Sequence, residues 1–357
     1  MASEALLQPP QHRPDDASSS FATVLDRLLD HAQLGEADAE RLMDQVLAGA
    51  LGPERLAALV TALRARPVQS DILAGMARSV RAHSKPVPRP PGLLLDTCGT
   101  GTARRKAFNA STATAFVVAA CGVPVAKHGN RSVTRPSGST DLIEAAGGRL
   151  DLDPDRAGDL LAKLGVVVLH APTFHPALQH TVAVRRALGV RTVFNLLGPL
   201  CNPARPSHQI VGVAEPGLLR PMAEAIARLG TQEAIVLHGE PGFDDASPAG
   251  MVHTLHVQNG RVGRPIPVNP ALLGLAAADP SDLAPVAKAE APDLAREVLA
   301  GRGGARSDMV ALNAAFALQL AGRSPDLERG LSDARTAMTS GKASALFERY
   351  LAATRGE

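Results

Sequence analysis

The feature that constrains the fold most is an alternation of short apolar runs with helical segments between residues 92 and 258. The runs have the length of buried strands and lie at Leu93–Leu95, Pro124–Ala126, Val166–Leu169, Ile210–Val213 and Ala234–Leu237. Strands that alternate with helices need crossover connections, which give a mainly parallel sheet covered on both faces. A further run at 251–257 precedes Asn259-Gly260, a pair typical of tight hairpins, and predicts an antiparallel edge.

Helical segments flank this region on both sides. From Phe21 to about Ser84 apolar residues recur at helical spacing, and the stretch KPVPRPP that follows is a linker because it cannot continue a helix. The C-terminal third, residues 293–354, is again helical and amphipathic. We therefore predict an α/β protein with a mainly parallel central sheet, divided into a flexible tail at 1–20, a small helical N-terminal domain at 21–84 and a larger α/β domain at 92–357. A middle segment near 175–200 is expected to pack with the helical domain.

Composition excludes several classes of protein. With 357 residues, of which 45% are hydrophobic, the chain can bury a large core. The net charge of +2 gives no global field that favours nucleic acid as the main partner. The apolar stretch 110–125 is interrupted by polar residues and is shorter than the ~20 residues that cross a bilayer, so no membrane insertion is expected. Cys98, Cys121 and Cys201 fit neither a disulfide framework nor a zinc site, which indicates a reducing, cytoplasmic setting.

The first segment with chemical content is DTCGTGTARRKAFNAST at 96–112, between a predicted strand and a helix. Small residues let backbone amides approach a phosphate there, and the helix start offers N–H groups and hydroxyls to the same anion. The spacing suits a pyrophosphate, although a tight turn with an ordinary N-cap explains this segment alone equally well. The candidate ligands are Gly99, Thr100, Gly101, Asn109, Ser111 and Thr112.

The second segment is KHGNRSVTRPSGSTDLIE at 127–144, which also follows a predicted strand. Its cations, glycines and hydroxyls interleave just before a helix start, so donors for phosphate and ribose oxygens converge at the end of a strand. A solvated basic loop is the alternative. The polar residues concerned are Lys127, His128, Asn130, Arg131, Arg135, Ser137 and Ser139.

The third segment is HPALQHTVAVRRALGVRTVFNLLGPLCNP at 175–203. His175 and Arg185 lie ten residues apart on a predicted helix, which allows both to line one wall of a cleft. Arg185 is suited to bind a carboxylate through two hydrogen bonds. Surface or packing roles are the alternative for both residues, but the Gly198-Pro199 turn after an apolar run indicates a rigid pocket edge.

The fourth segment is LHGEPGFDDASP at 237–248, a loop beyond a strand. Its adjacent carboxylates, Asp244 and Asp245, can bind Mg²⁺ that also holds a pyrophosphate and so neutralises the leaving group. Taken alone, the segment also fits a turn with solvated acids.

Taken together, these segments closely resemble the anthranilate phosphoribosyltransferase family of tryptophan biosynthesis. The resemblance runs from about Phe21 to the C-terminus and includes ALNAAFALQLAG at 311–322 and SGKA at 340–343. KHGNR with the following SGS-D-L-E pattern, together with RTVFNLLGPLCNPA later in the chain, is a highly specific combination.

This resemblance implies an enzyme that transfers the phosphoribosyl group of phosphoribosyl pyrophosphate to anthranilate or a similar aromatic amine. It also implies a helical domain that mediates homodimerisation, an α/β domain related to pyrimidine nucleoside phosphorylases, and a cleft between them. It implies no general base. The residues expected to hold phosphoribosyl pyrophosphate are Gly99, Thr100, Gly101, Asn109, Ser111, Thr112, Lys127 and Ser139. Those expected to bind Mg²⁺ are Ser111, Asp244 and Asp245, and those expected to line the channel for the aromatic amine are Asn130, His175, Arg185 and Gly198.

The sequence departs from the family pattern in two places. The phosphate loop of the family reads Gly-Thr-Gly-Gly-Asp-Gly, whereas residues 99–104 read GTGTAR and are followed by Arg105 and Lys106. A Cβ at Thr102 and Arg104 makes positive φ costly, so the loop is expected to be stiffer or to take another course. The added cations either clamp phosphate or mark a changed site. The metal pair is Asp-Asp instead of Asp-Glu, which keeps the ligand type.

Alternative functions remain on the same fold. The altered loop leaves room for a different aromatic acceptor in a specialised pathway. A non-catalytic relative that binds nucleic acid through residues 104–106 is a second alternative, against which the nearly neutral chain and the retained KHGNR and NLLGPL motifs argue. A pyrimidine nucleoside phosphorylase would carry a Lys-His-Ser-Thr-Gly-Gly type of phosphate motif, which is not present in the sequence.

Overall fold

A computed structural model describes residues 21–132 and 136–357. The predicted tail at 1–20 and Arg135 lie outside these residues. The described chain begins with a helical region, in which α2 packs along α4 and α1 packs on α3. Its helices are α1 (Phe21–Leu29), α2 (Glu36–Leu47), α3 (Pro53–Arg64) and α4 (Ser70–Ala82).

A seven-stranded sheet follows the linker, with the strand order β3-β2-β1-β4-β5-β6-β7. Neighbouring strands from β3 to β5 are parallel, and β6 and β7 add to β5 as an antiparallel edge. The strands are β1 (Leu95–Gly99), β2 (Val125–Gly129), β3 (Val166–His170), β4 (His208–Gly212), β5 (Glu233–Gly239), β6 (Val252–Gln258) and β7 (Arg261–Val268).

Eleven more helices of the described chain cover the sheet and continue to the C-terminus. They are α5 (Ala110–Ala120), α6 (Ser139–Ala145), α7 (Pro154–Leu164), α8 (Ala171–Phe174), α9 (Gln179–Leu188), α10 (Phe194–Leu197), α11 (Leu219–Arg228), α12 (Ala291–Leu299), α13 (Ala305–Leu320), α14 (Leu327–Thr339) and α15 (Lys342–Arg355). None of the described helices has the length and apolarity that a bilayer span requires.

Local sequence signals set the limits of these elements. In α7, the Asp153 side chain accepts a hydrogen bond from the Arg156 N–H, Pro154 occupies the first turn, and Gly165 ends the helix in the left-handed conformation at φ +71°. The predicted hairpin is present between β6 and β7, where Asn259 and Gly260 take φ values of +48° and +76°. This conformation is the one that an Asn-Gly turn favours.

Alternate side chains of the central strands enter two separate cores, as the period of a strand requires. On β5, Ile235 and Leu237 join the core built around α5 and α13, whereas Ala234 and Val236 join a core that contains the N-terminal helices and α11. Because this second core is continuous between the two domains, the helical region is fixed against one face of the sheet. The segment near 175–200 belongs to the same contact, since α9 touches α2 and α3, and α10 touches α4.

The structure confirms the predicted fold class, with a helical bundle, a mainly parallel mixed sheet and a helical C-terminal third. It corrects one local prediction, that of a single helix carrying His175 and Arg185. His175 ends the short helix α8, a 3-10 turn at Pro176–Leu178 follows, and Arg185 lies on the separate helix α9. Pro176 explains the break, because proline disfavours helical conformation in the residue before it.

The edge strand β3 is covered by the C-terminal helix. Tyr350 on α15 is fully buried, and its hydroxyl accepts a hydrogen bond of 3.0 Å from the Val168 N–H. Burial raises the pKa of Tyr350 well above its ordinary value, so the hydroxyl keeps its proton in neutral solution. The contact satisfies a backbone donor of an edge strand and ties the C-terminus to the sheet.

We expect the substitution Tyr350→Phe to lower the free energy of unfolding by about 1–3 kcal/mol, because it leaves the buried Val168 N–H without a partner while the ring packing is kept. Urea unfolding followed by circular dichroism measures this change. The dependence on urea concentration should keep its slope. A loss below ~0.5 kcal/mol would show that the hydrogen bond contributes little to stability.

Candidate functional site

The candidate site lies at the carboxyl ends of the parallel strands, where β1 and β4 are neighbours. The chain runs from β1 outward to β2 and β3 and then crosses to β4 on the other side, so this is the point at which strand order reverses. Such a switch point leaves a crevice that ligands use in open α/β sheets. The loops after these strands carry most of the residues that the sequence singled out.

Glycines at two strand ends let the acidic loop approach the sheet closely. A Cβ on Gly212 at the end of β4 would overlap the Asp244 carbonyl oxygen, and a Cβ on Gly99 at the end of β1 would lie 2.9 Å from Asp244 Oδ2. Only glycine fits at either position while the loop keeps its place. The sheet thus fixes the backbone of Asp244 and, through Gly239, where a Cβ would overlap the Asp245 carbonyl oxygen, the backbone of Asp245.

The loop after β1 is bound to the same carboxylate. The Gly101 N–H donates a hydrogen bond of 2.7 Å to Asp244 Oδ2, and the hydroxyls of Thr100 and Thr102 are 2.9 Å apart. Gly101 takes φ +68°, whereas Thr102 and Arg104 are not among the residues with positive φ. Neither residue therefore adopts the left-handed conformation, and the backbone strain predicted for them does not arise.

The added cations of this loop are not in the lining of the crevice, although the Lys106 ammonium donates a hydrogen bond of 3.0 Å to the Gly101 carbonyl oxygen. Arg104, Arg105 and Lys106 line a separate cavity together with Asp279 and Ser281. The Arg104 side chain is 82% exposed and lies 4.0 Å from Glu215 Oε1. These three side chains therefore do not clamp a phosphate directly in the crevice.

Lys127, at the base of the crevice, belongs to a buried polar network. Its ammonium donates a hydrogen bond of 2.5 Å to the Thr97 carbonyl oxygen, and the side chain is 1% exposed. Beneath it, Asp96 accepts hydrogen bonds from Asn202 Nδ2 at 2.9 Å and from the His128 N–H at 3.3 Å. Burial raises the pKa of Asp96, and nearby Lys127 opposes this effect. The network joins β1 and β2 to the loop at Asn202.

The KHGNR and SGS segments are bound to each other. Asp141 Oδ2 accepts hydrogen bonds of 2.9 Å from the N–H groups of Ser132 and Gly138, and Asn109 Nδ2 donates one of 2.9 Å to the Gly138 carbonyl oxygen. Partial burial acts to raise the pKa of Asp141, but the hydrogen bonds from Ser132 and Gly138, together with Lys288, lower it. Asn109 thereby connects the start of α5 with the turn that carries Ser139.

Two buried histidines form one wall of the crevice. The rings of His128 and His175 meet edge to face with centroids 5.1 Å apart, and His128 Nδ1 lies 3.1 Å from the Gly198 carbonyl oxygen. Burial lowers the pKa of His128 to about 3 and that of His175 to about 4. Both rings are therefore neutral near pH 7, and His128 donates its Nδ1 proton to Gly198 because a carbonyl only accepts.

Arg185 lines the crevice from α9. Its guanidinium lies over the Phe194 ring, 5.2 Å from the centroid, and burial lowers the pKa of the arginine. No carboxylate lies within ion-pair distance of Arg185 in the part of the chain that the structure describes. A desolvated cation without a protein anion is costly, so the arrangement is suited to an anionic ligand.

The crevice is a cavity of about 290 Å³ that brings together twelve of the ligand residues predicted from sequence. Asn109 and Thr112 are not in its lining. Asn109 supports the turn beside it, and Thr112 is fully buried with a hydroxyl that has no partner among the described residues. The lining residues that sequence reasoning proposed are Gly99, Thr100, Gly101, Ser111, Lys127, Asn130, Ser139, His175, Arg185, Gly198, Asp244 and Asp245.

The lining also includes residues to which the sequence analysis assigned no particular ligand, among them two polar residues of the second segment. His128 and Arg131 lie within the KHGNR motif, so the motif itself was a sufficient signal for them. Val80 on α4 and Leu178 before α9 enter from the helical side of the crevice. Nothing in their local sequence indicates this, because their role follows from how the two domains pack.

Comparison with known proteins gives the same picture. Residues 92–344 match a family described as "Glycosyl transferase family, a/b domain", and residues 22–84 match its "helical bundle domain". Anthranilate phosphoribosyltransferase 2 of Streptomyces coelicolor is 44% identical over 89% of this chain and 94% of its own. The anthranilate phosphoribosyltransferase of Moorella thermoacetica is 41% identical over 89% of this chain and 94% of its own.

Solved structures agree in fold over nearly the whole chain. The crystal structure of anthranilate phosphoribosyltransferase from Thermus thermophilus has a TM-score of 0.86 and 40% identity, covering 93% of this chain and 99% of that one. The enzyme from Saccharomyces cerevisiae in complex with PRPP and Mg has a TM-score of 0.87 and 26% identity, covering 95% and 98%.

The fold and the matched domains define a glycosyltransferase built from a helical bundle and an α/β domain. Its relatives narrow the class further. The chain belongs to the anthranilate phosphoribosyltransferase family.

The neutral histidines predict how stability depends on pH. The folded-state pKa values of His128 and His175 lie below the ordinary value of 6.5, so the unfolded chain binds protons first as the pH falls. Their contribution is fully present above about pH 6.5 and is lost as the pH falls toward 4 and then 3. We expect His175→Gln to reduce the loss of unfolding free energy between pH 6 and 4.5 by ~1 kcal/mol per pH unit.

Urea unfolding at each pH measures this slope, and slopes are compared because the substitution itself changes packing. His31→Asn, at an exposed position with φ +56° that Asn tolerates, is the matched control and should leave the slope unchanged. Parallel pH profiles for the protein and the His175 variant would show that His175 is not held neutral by the fold.

Proposed function

We propose that this protein transfers the phosphoribosyl group of phosphoribosyl pyrophosphate to anthranilate and releases pyrophosphate, a step of tryptophan biosynthesis. The observation that carries the proposal is the pairing of two unlike ends in one crevice. One end holds a glycine loop, Lys127 and two acids, and the other holds a half-buried arginine on an aromatic ring. The relatives named above carry this activity in their names.

At the first end, the protein offers groups suited to a diphosphate. The Gly99–Gly101 loop presents backbone N–H groups, and Ser111 stands in the first turn of α5, where the helix dipole favours an anion. Lys127 supplies a positive charge at the base of the crevice. We assign phosphoribosyl pyrophosphate to this end, with Ser139 as a further hydroxyl donor and with Asn109 and Thr112 in supporting positions.

The residues of this end also fit Mg²⁺. Asp244, Asp245 and Ser111 are oxygen donors that line one cavity. The described residues contain no group of three or more acidic, His or Cys side chains suited to a metal, so these side chains alone do not complete a coordination shell. Mg²⁺ commonly takes one or two carboxylates and completes its shell with water and substrate phosphates. We therefore propose that Asp244, Asp245 and Ser111 hold Mg²⁺ together with the pyrophosphate. The ion would neutralise charge on the leaving group.

At the second end, we propose that Arg185 binds the carboxylate of anthranilate. Its guanidinium offers the paired donors that a carboxylate fits, and Phe194 keeps it in place by stacking. Asn130, His175 and Gly198 complete the walls around the aromatic ring. Because His175 is neutral, it adds no second charge that would compete for the carboxylate.

The chemistry needs positioning more than proton transfer. The bond between the ribose C1 and the pyrophosphate oxygen breaks, the amine nitrogen bonds to C1 from the opposite face, and the nitrogen then loses a proton. An arylamine is already nucleophilic, so we assign no residue as a general base. The protein's contribution is to hold both substrates in one crevice and to stabilise charge on the departing pyrophosphate.

We also propose that the protein acts as a homodimer in the cytoplasm. Large apolar side chains are exposed around α1 and α9, where Leu29 is 59%, Val182 48% and Val190 61% accessible. A second copy of the chain would cover such a face. The cysteines Cys98, Cys121 and Cys201 are free thiols, which supports a reducing compartment.

Removing one metal ligand should change the requirement for Mg²⁺. We expect Asp245→Asn to raise the Mg²⁺ concentration needed for half-maximal turnover by at least about tenfold, since changes even in outer-shell groups cost that much. Pyrophosphate release measured across a Mg²⁺ titration gives the value. Asp155→Asn removes the same charge from an exposed position and serves as the control. An unchanged Mg²⁺ profile in the Asp245 variant would remove Asp245 from the metal site.

The assignment of Arg185 to the carboxylate of the acceptor is tested by comparing aromatic amines with and without that carboxylate. We expect Arg185→Gln to lower kcat/KM for anthranilate by about 10- to 100-fold, because a charge-assisted hydrogen bond is lost. With 2-aminobenzamide, which lacks the negative charge, the same substitution should have little effect. Fluorescence of the aromatic amine and pyrophosphate release follow the reaction.

Arg186→Gln is the matched control, since Arg186 is the next residue on α9 and is exposed. An equal loss with both amines would mean that Arg185 only shapes the crevice. A panel of aminobenzoates in the same assay identifies the acceptor. An isomer with the carboxylate at another ring position that reacts better than anthranilate would be the acceptor in its place.

A further inference from the structure

A second cavity, of about 430 Å³, is lined by five arginines and by no acidic residue of the described chain. We call it the arginine cavity. It shares none of its lining residues with the crevice described above. The arginines are Arg78, Arg81, Arg89, Arg205 and Arg228.

The arginine cavity lies at the joint between the two domains. Arg78 and Arg81 come from α4, and Arg89 comes from the linker at 85–91. Arg205 precedes β4, and Arg228 ends α11, so both belong to the α/β domain. Since Gln232 directly precedes β5, the cavity opens at the amino ends of the parallel strands, opposite the crevice.

Two of the five arginines are neutralised by nearby acids. Arg78 pairs with Glu36 and lies 3.4 Å from Glu40. Arg228 lies 2.9 Å from Asp71 and 3.6 Å from Glu36. The Arg78 ion pairs join α4 to α2 within the helical domain, whereas the Arg228 ion pairs cross from α11 to that domain.

The other three arginines have no ion pair within residues 21–132 and 136–357. Arg81 Nε and Nη1 donate to the Leu200 and Leu229 carbonyl oxygens at 2.6 and 3.4 Å, which leaves Nη2 without a partner in the same ranges. Burial lowers the pKa of Arg81, and the positive charges of Arg205 and Arg78 add to this decrease. Arg89 and Arg205 are exposed and Arg81 is half-buried, so the cavity presents these unpaired positive charges to a ligand from solvent.

We propose that the arginine cavity binds a phosphate group, either free or as a monoester, and thereby ties the helical domain to the α/β domain. Guanidinium groups match a phosphate in charge and in the geometry of paired donors. Arg81 reaches the ligand from α4 and Arg89 from the linker, and Arg205 reaches it from the α/β domain. None of these three arginines forms an ion pair within the described residues. The phosphate would therefore supply the ionic link between α4, the linker and the α/β domain.

Isothermal titration calorimetry on the full chain tests this site. Inorganic phosphate and ribose 5-phosphate are titrated separately, at constant ionic strength set with chloride and without Mg²⁺. We expect one ligand to bind per chain, and we expect the double variant Arg89→Gln/Arg205→Gln to bind it at least tenfold more weakly, since two charge-assisted contacts are lost. Tighter binding of ribose 5-phosphate identifies a monoester as the occupant, and tighter binding of inorganic phosphate identifies the free anion.

The double variant Arg261→Gln/Arg264→Gln is the matched control, because it removes two charges from exposed positions on β7. It should bind as the unaltered protein does. Both variants keep the crevice, so phosphate that binds there would be retained in both. Binding in the Arg89/Arg205 variant that is unchanged from the unaltered protein, an equal loss in both variants, or no binding of either ligand would each overturn the proposal without affecting the proposed transferase activity.

Discussion

The structure depends on the contact between the acidic loop and the glycine ends of β1 and β4. Gly212 allows the Asp244 backbone to rest directly on the sheet, and Gly99 allows the Asp244 carboxylate to lie beside β1. Asp244 then accepts a hydrogen bond from Gly101 and so fixes the loop that faces the phosphate end. The same rigid sheet holds the acids of one segment and the backbone amides of another in fixed relative positions, as a preorganised site requires.

One buried and one half-buried cation give the crevice its polarity. Lys127 at its base donates to the Thr97 carbonyl oxygen, and Arg185 lies on Phe194 without a carboxylate among the described residues. Between them, His128 and His175 are held neutral by burial. The crevice lining therefore combines the positive charges of Lys127 and Arg185 with the carboxylates of Asp244 and Asp245 and with two uncharged rings.

The sequence predicted which segments form the site better than it predicted which residues and helices form its walls. The carboxyl ends of parallel strands share one edge of the sheet, so motifs after separate strands were expected to meet, and segments around Lys127, Ser139 and Asp244 do line one crevice. The single helix predicted for His175 and Arg185 was wrong because Pro176 breaks it. The contribution of Val80 could not be foreseen, since it arises from packing between domains and has no local signal.

The two cavities are connected through helix α4 at the joint between the domains. Val80 lines the crevice, and the next residue, Arg81, lines the arginine cavity. Arg81 also donates to the Leu200 carbonyl oxygen, and Leu200 lies between Pro199 and Cys201, which both line the crevice. Any change in how α4 sits against the sheet must therefore move residues of both cavities together. A close-packed core transmits such a shift because it has little free volume to absorb it.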